Sequence, residues 1–262
     1  MNPLEARFAE LKERGEKALV AFVTGGDPGL DQLVPILHAL EDAGVDVIEI
    51  GLPFSDPIAD GPVIQASSQR ALDRGVSPRD VMREASQFGG KAPLVAMGYM
   101  NSMLVMGLEN FAREARECGF SGVIVCDLIP DEGAEWGEIA ARHGLSTIYL
   151  VAPTSNEERL DRVCESAEGF VYSISRTGVT GAGQEVPVSV VDLVKKIRTK
   201  TDLPVCVGFG ISKPEHVRMV CAEADGAVVG SMIVDWLANR WNEGINRPAF
   251  VREIAALKEA TR

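Results

Sequence analysis

A helical pattern that stops at a glycine or other small residue and runs at once into a short apolar stretch recurs along this chain. Instances are EDAGVDVIEI (41–50), ECGFSGVIV (117–125), RHGLSTIYL (142–150), AEGFVYSI (167–174) and EADGAVVG (223–230). Glycine takes the left-handed conformation at low cost and so closes helices. A short apolar run without polar alternation reads as a strand buried on both faces. Eight such strands are expected, at 18–23, 46–50, 93–98, 122–126, 146–150, 170–174, 204–208 and 225–229. Helical patterns at 30–43, 62–74 with 78–88, 107–118, 131–142, 156–165, 188–199, 213–223 and 248–260 separate or follow them. Alternating strands and helices imply a parallel sheet. Eight rounds in 262 residues match a closed (β/α)8 TIM barrel of roughly 250 residues, read here as a single domain, 1–262, with extra short helices. An open doubly wound sheet is the alternative.

The composition narrows the class. Hydrophobic residues make up 46% of the chain and charged residues 24%, an ordinary globular balance, and a chain of this length buries enough surface to need no covalent staple. The formal net charge of -12 argues against nucleic acid and anionic membrane as partners. A phosphorylated substrate would need a local site, which helix N-termini can supply. The five Cys (118, 126, 164, 206 and 221) have no CxxC spacing and the three His are scattered. Neither a disulfide framework nor a metal site is expected, and reduced thiols suit a cytoplasmic protein. The amphipathic pattern from Leu4 to Arg14 resembles neither a signal nor a transit peptide. No apolar run approaches the ~20 residues of a membrane span.

Two connections are long and rich in Gly, Pro and polar residues: Gly51 to Gly61 after the second strand, and Ser175 to Pro187 after the sixth. Both follow strand C-termini, the face where barrel active sites form, and long loops in a compact domain are usually functional. Glu49, between Ile48 and Ile50 in DVIEIG, would be withdrawn from water. Burial raises a carboxyl pKa, which suits a group that both gives and takes a proton near neutrality; a buried structural Glu is the other possibility. Asp60 precedes Gly61-Pro62 at the start of a helix, and from position alone N-capping is its plainer role. Asp56 could form a turn. Asp127, after the fourth strand, could be catalytic, structural or substrate-contacting. Gly208-Phe209-Gly210 and Gly230-Ser231 end the last two strands, and Gly178, Gly181 and Gly183 lie in the loop after the sixth. Glycine-rich ends on adjacent final strands suggest a backbone phosphate cradle, with 231–240 as its short helix. No Lys lies within an expected strand, which disfavours a Schiff-base lyase.

The stretch EIGLPFSDPIADGPVIQ (49–65) resembles the signature of the tryptophan synthase alpha subunit family. Further matches follow in order: ALVAFVTGGDP (18–28), MGYMN (97–101), VYSISRTGVTG (171–181), VGFGIS (207–212) and DGAVVGS (225–231). Two departures are mild: Ser102 and Ile129 stand where the family commonly has Pro. The resemblance implies cleavage of indole-3-glycerol phosphate to indole and glyceraldehyde 3-phosphate. Glu49 would be the general acid/base, and Asp60 would bind the indole N–H and balance the charge that develops on the ring. Tyr172 would position the reacting end, and Phe22, Tyr99 and Leu128 would line the indole pocket. Gly181, Gly210, Gly230 and Ser231 would hold the phosphate, and Thr180 would close its loop over Asp60. The family also implies a beta subunit partner in an alpha2-beta2 complex. Pro53, Phe54, Asp56 and Asn101 would lie at or near that contact, with Phe54 expected to be exposed. Pyridoxal phosphate is expected only in the beta subunit. Two other readings stand beside this one: a related barrel acting on another phosphosugar, and a non-catalytic activator of the beta subunit.

Overall fold

The computed structural model describes residues 2–174, 188–208 and 210–262. The chain opens with α1 (Pro3–Glu13), β1 (Ala18–Thr24), α2 (Leu33–Asp42), β2 (Val47–Gly51), α3 (Pro62–Asp73) and α4 (Pro78–Ala85). It continues through β3 (Leu94–Gly98), α5 (Met100–Met106), α6 (Leu108–Glu117), β4 (Phe120–Val125) and α7 (Ala134–Arg142). Next come β5 (Ser146–Ile148), β6 (Leu150–Val151), α8 (Glu157–Ser166), β7 (Val171–Ile174) and α9 (Val188–Arg198). The last elements are β8 (Val205–Gly208), α10 (Pro214–Cys221), β9 (Gly226–Val229), α11 (Ser231–Arg240) and α12 (Arg247–Glu259).

The strands are parallel and ordered β5-β4-β3-β2-β1-β9-β8-β7-β6. The two ends of that list are pieces of one stave, interrupted at Tyr149. β5 pairs with β4 and β6 pairs with β7. The Tyr149 carbonyl still accepts a hydrogen bond from Tyr172 N at 3.1 Å, so the ladder runs on across the break. The fold is therefore the (β/α)8 TIM barrel expected from the sequence, with its fifth strand divided rather than continuous over 146–150.

Side-chain alternation explains why the strands read as unbroken apolar runs. Inward residues such as Val20, Val47, Val95, Ile124, Ile148 and Val228 form the barrel interior. Their outward neighbours, including Leu19, Ile48, Ala96, Val123 and Ala227, pack beneath the helices. Both faces of each strand are withdrawn from water, as in helix-covered parallel sheets. Helix α1 closes the N-terminal end of the barrel with Leu4, Phe8 and Leu11. Asn2 fixes it there: its side chain accepts from Leu4 N at 2.9 Å and donates to Ser121 O at 2.7 Å, which caps the helix and ties it to β4.

At the same end, Lys258 Nζ of α12 donates to Asp46 Oδ2 at 2.8 Å, and both residues are buried. Asp46 also accepts from Leu19 N at 2.7 Å, so one carboxylate joins the last helix, the entry to β2 and β1. One element escaped sequence reading. Helix α5 lies in what reads as the loop after the third strand, and a seven-residue helix is too short for a readable apolar period. Among the described residues, no helix is long and apolar enough to cross a membrane.

Candidate active site

Glu49 is the third residue of β2, and its register partners are Phe22 on β1 and Val95 on β3. Its residue is 0% exposed, and neither carboxyl oxygen has a hydrogen-bond partner among the described residues. Burial pushes its pKa up to about 8, because the charged form loses hydration. Near neutrality the group is mostly a neutral acid, which fits the proton-shuttle role expected for it.

The loop between β2 and α3 is clamped at both ends. Near its start, Ser68 of α3 accepts from Phe54 N at 2.9 Å and donates to Phe54 O at 3.0 Å. Near its end, the Tyr99 hydroxyl donates to Asp60 Oδ2 at 3.0 Å and accepts from Ala59 N at 3.0 Å. The two clamps touch, since the Phe54 and Tyr99 rings stack with centroids 5.0 Å apart. Helix α3 is itself held to the strand below: Thr24 Oγ1 and Ser67 Oγ are 2.6 Å apart, and Arg70 makes a two-pronged ion pair with buried Asp27.

The plainer role of Asp60 does not hold. Gly61 is the N-cap of α3, with no side-chain cap hydrogen bond, and the Asp60 carboxylate bonds to Tyr99 instead. Burial raises its pKa and the Tyr99 hydrogen bond opposes that rise. Phe54 also differs from expectation. Pro53 is buried, and Phe54 is half-buried against Tyr99 rather than exposed. Asp56 and Asn101 are exposed. The prominent apolar surface near this loop consists of Ile58 on the loop tip, with Leu104 and Val105 on α5. Sequence reading missed Leu104 and Val105 because α5 itself went unseen, and Ile58 because nothing local marks a loop residue as exposed.

A pocket opens between these elements, lined among others by Phe22, Asp60, Ile64, Met97, Tyr99 and Cys126. Leu128 is buried in the outer hydrophobic layer and does not line it. The residue supplied from the end of β4 is Cys126, two positions beyond inward-facing Ile124, so strand alternation could have identified it. Burial raises the Cys126 thiol pKa, and the charges of Asp60, Asp127 and Glu49 raise it further. Asp127 has a structural contact: its Oδ1 accepts from Met100 N at 2.8 Å, holding the first turn of α5 to the end of β4.

Tyr172 lies on β7 opposite Cys206 of β8. Burial raises its pKa first, and the Glu49 charge adds to this. A β-carbon at Gly208 would come within 2.6 Å of the Tyr172 hydroxyl oxygen, so a glycine there makes room for the phenol. Gly210 follows with φ +52°, a conformation that favours glycine. On the adjacent stave, Gly230 is the N-cap of α11 and Ser231 its exposed first residue, with no side-chain cap. Among the described residues no side chain caps α11, and a helix N-terminus of this kind can bind an anion. Thr180 and Gly181, with Gly178, Gly183 and the rest of the 175–187 connection, lie outside the described residues. Among the described residues, no group of three or more His, Cys, Asp or Glu could hold a metal ion.

Fold and site together define a (β/α)8-barrel enzyme with acidic side chains gathered at the C-terminal ends of its strands. The family model for the tryptophan synthase alpha chain matches residues 8–261. The tryptophan synthase alpha chain of Geobacter sulfurreducens is 46% identical over 263 residues, covering 99% of both chains. That of Carboxydothermus hydrogenoformans is 46% identical over 241 residues, 91% of this chain and 90% of that protein. A crystal structure of tryptophan synthase subunit alpha from Legionella pneumophila superposes with a TM-score of 0.91 at 32% identity, covering 100% of this chain and 98% of the other. This chain belongs to the tryptophan synthase alpha chain family.

Proposed function

We propose that this chain carries out the alpha reaction of tryptophan synthase, the lyase step that cleaves indole-3-glycerol phosphate into indole and glyceraldehyde 3-phosphate. Family membership supports the reaction, and one observation carries the chemistry: a fully buried carboxyl group with no hydrogen-bond partner among the described residues, poised near neutrality inside the barrel.

Glu49 begins as the neutral acid. It gives its proton to C3 of the indole ring, producing an indolenine cation. The resulting carboxylate takes the proton of the glycerol C3′ hydroxyl as the C3–C3′ bond breaks. The bonding electrons return to the ring, the alcohol carbon becomes an aldehyde, and Glu49 ends protonated as it began. Asp60, ionised, accepts the ring N–H and balances the positive charge while it exists, an attraction that grows towards the transition state. Tyr172 positions the reacting end, and Phe22 and Tyr99 hold the ring. Gly230 and Ser231 take the phosphate through backbone N–H groups at the α11 terminus, and Gly210 does so from the connection after β8. Thr180 and Gly181 are assigned to closure and phosphate by resemblance alone.

The proposed partner is a tryptophan synthase beta subunit, in an alpha2-beta2 complex. Pyridoxal phosphate belongs to that subunit in this family, and the alpha chain carries none. Exposed Asp56 and Asn101, with Ile58, Leu104 and Val105, form a surface suited to the contact. Pro53 and Phe54 would support it from below. The net charge and free thiols suit the cytoplasm. The decisive experiment is indole release from indole-3-glycerol phosphate by the purified chain, alone and with a beta subunit. Release that rises with the beta subunit is expected. No indole in either case would leave the non-catalytic activator reading, and turnover of another phosphosugar would favour a different barrel chemistry.

A further inference from the structure

We propose that Tyr99 is a positioning residue for the cleavage reaction: its hydroxyl holds the Asp60 carboxylate by one oxygen and leaves the other turned to the pocket as the acceptor for the ring N–H. The inference deepens the reading of Asp60 given above and rests on it. Asp60 belongs to a loop whose tip is exposed from Ser55 to Asp56 and again at Ile58 and Ala59. A carboxylate on such a segment would sample many orientations unless something fixed it. The Tyr99 hydroxyl is bound from both sides: it donates to Asp60 Oδ2 and accepts from Ala59 N, each at 3.0 Å. Backbone and side chain of the loop end are therefore tied to the same atom. The phenol cannot swing away easily, because its residue is only 3% exposed and its ring stacks on Phe54, which Ser68 fixes in turn.

This arrangement has an electrostatic consequence. The titratable groups that the Asp60 charge reaches are Tyr99 itself, Cys126 beyond β4 and Tyr172 on β7. Burial works against ionisation of Asp60. The Tyr99 hydrogen bond lowers the Asp60 pKa against the rise from burial. A neutral Asp60 could not balance a developing cation, so Tyr99 keeps the acid in its useful form as well as its useful orientation.

Tyr99→Phe keeps the stacked ring and removes only the hydroxyl, so the fold is expected to survive. The Asp60 carboxyl can be followed by NMR in protein carrying 13C-labelled aspartate, with Asp60→Asn identifying its signal. In Tyr99→Phe the Asp60 titration should move to higher pH. The acid limb of kcat/KM should move with it, with about a tenfold loss below the wild-type midpoint, the order of one charge-assisted hydrogen bond. A pocket wall that merely packs would leave both midpoints where they are in the wild type, and that result would overturn the proposal. Asp60→Asn keeps the two ideas apart. If it turns over like the wild type, the role of Asp60 itself fails; if it is crippled while Tyr99→Phe titrates like the wild type, only the role of Tyr99 fails.

Discussion

Phe22 and Glu49 are register partners on adjacent parallel strands, so an aromatic ring and a carboxyl group occupy the same layer of the barrel interior. The ring also closes on the strand beside it: a β-carbon at Gly51 would come within 2.5 Å of the Phe22 ring. The carboxyl group is thus sealed on its strand neighbours' side by hydrocarbon. That sealing holds it neutral near pH 7 and makes it available as an acid.

Replacing Glu49 by Gln should therefore separate activity from stability. Gln is nearly isosteric but cannot shuttle a proton, so indole release should fall by ~10²–10⁴. No hydrogen bond is lost, because neither oxygen has a partner among the described residues. A carboxyl whose folded pKa is raised makes folding weaker as pH climbs from its unfolded value towards about 8. The Gln variant should then be at least as stable as the wild type at pH 6 and more stable at pH 8. Thermal melts at the two pH values check this, and a lower melting temperature for the variant at pH 8 would contradict it.

The pH–rate profile should be bell-shaped. Glu49 must start protonated, so kcat/KM should decline as pH rises through about 8. Asp60 must be ionised, so activity should also decline on the acid side, through a pKa raised by burial. Measuring kcat/KM from pH 5 to 10 would decide the matter. A rate that keeps climbing above pH 9 would mean that Glu49 acts as an initially ionised base.

Asp60→Asn should lower turnover by about 10²-fold or more, the scale of one lost transition-state electrostatic contact, while leaving the melting temperature nearly unchanged. The carboxylate caps no helix, and Asn can still accept from the Tyr99 hydroxyl. Full activity with a marked loss of stability would return Asp60 to a structural role.

Val105 is 81% exposed and Ile58 82% exposed, large apolar groups with nothing to cover them in the isolated chain. Val105→Asp should leave basal indole release within about twofold of wild type. It should also raise the beta subunit concentration needed for half-maximal stimulation by about tenfold, as expected for a buried interface contact. An unchanged half-maximal concentration would move the contact elsewhere.

Lys258→Ala should destabilise the fold by ~3–5 kcal/mol, the cost of leaving a buried ion-pair partner uncompensated. Asp46 is buried, and desolvation already raises its pKa despite Lys258. Urea unfolding of the two proteins measures the difference; a change below about 1 kcal/mol would mean that water reaches Asp46 in the variant.

Local patterning by itself determined the order and type of nearly all the elements, and with them the barrel. The glycine-stopped helices and doubly buried strands are properties of short windows, each legible without the others. Glu49 was legible too, since a lone acid between two isoleucines in such a strand has few places to go. Only the tertiary structure decided which groups meet. Tyr99 and Asp60 are 39 residues apart, and no local period links them. The same holds for Met100 and Asp127, joined across two strand ends. Position in the chain favoured capping for Asp60, and the family resemblance favoured exposure for Phe54. Both were overruled by a tyrosine arriving from the neighbouring stave, because a buried carboxylate or aromatic ring settles against whatever partner the closed barrel brings within reach.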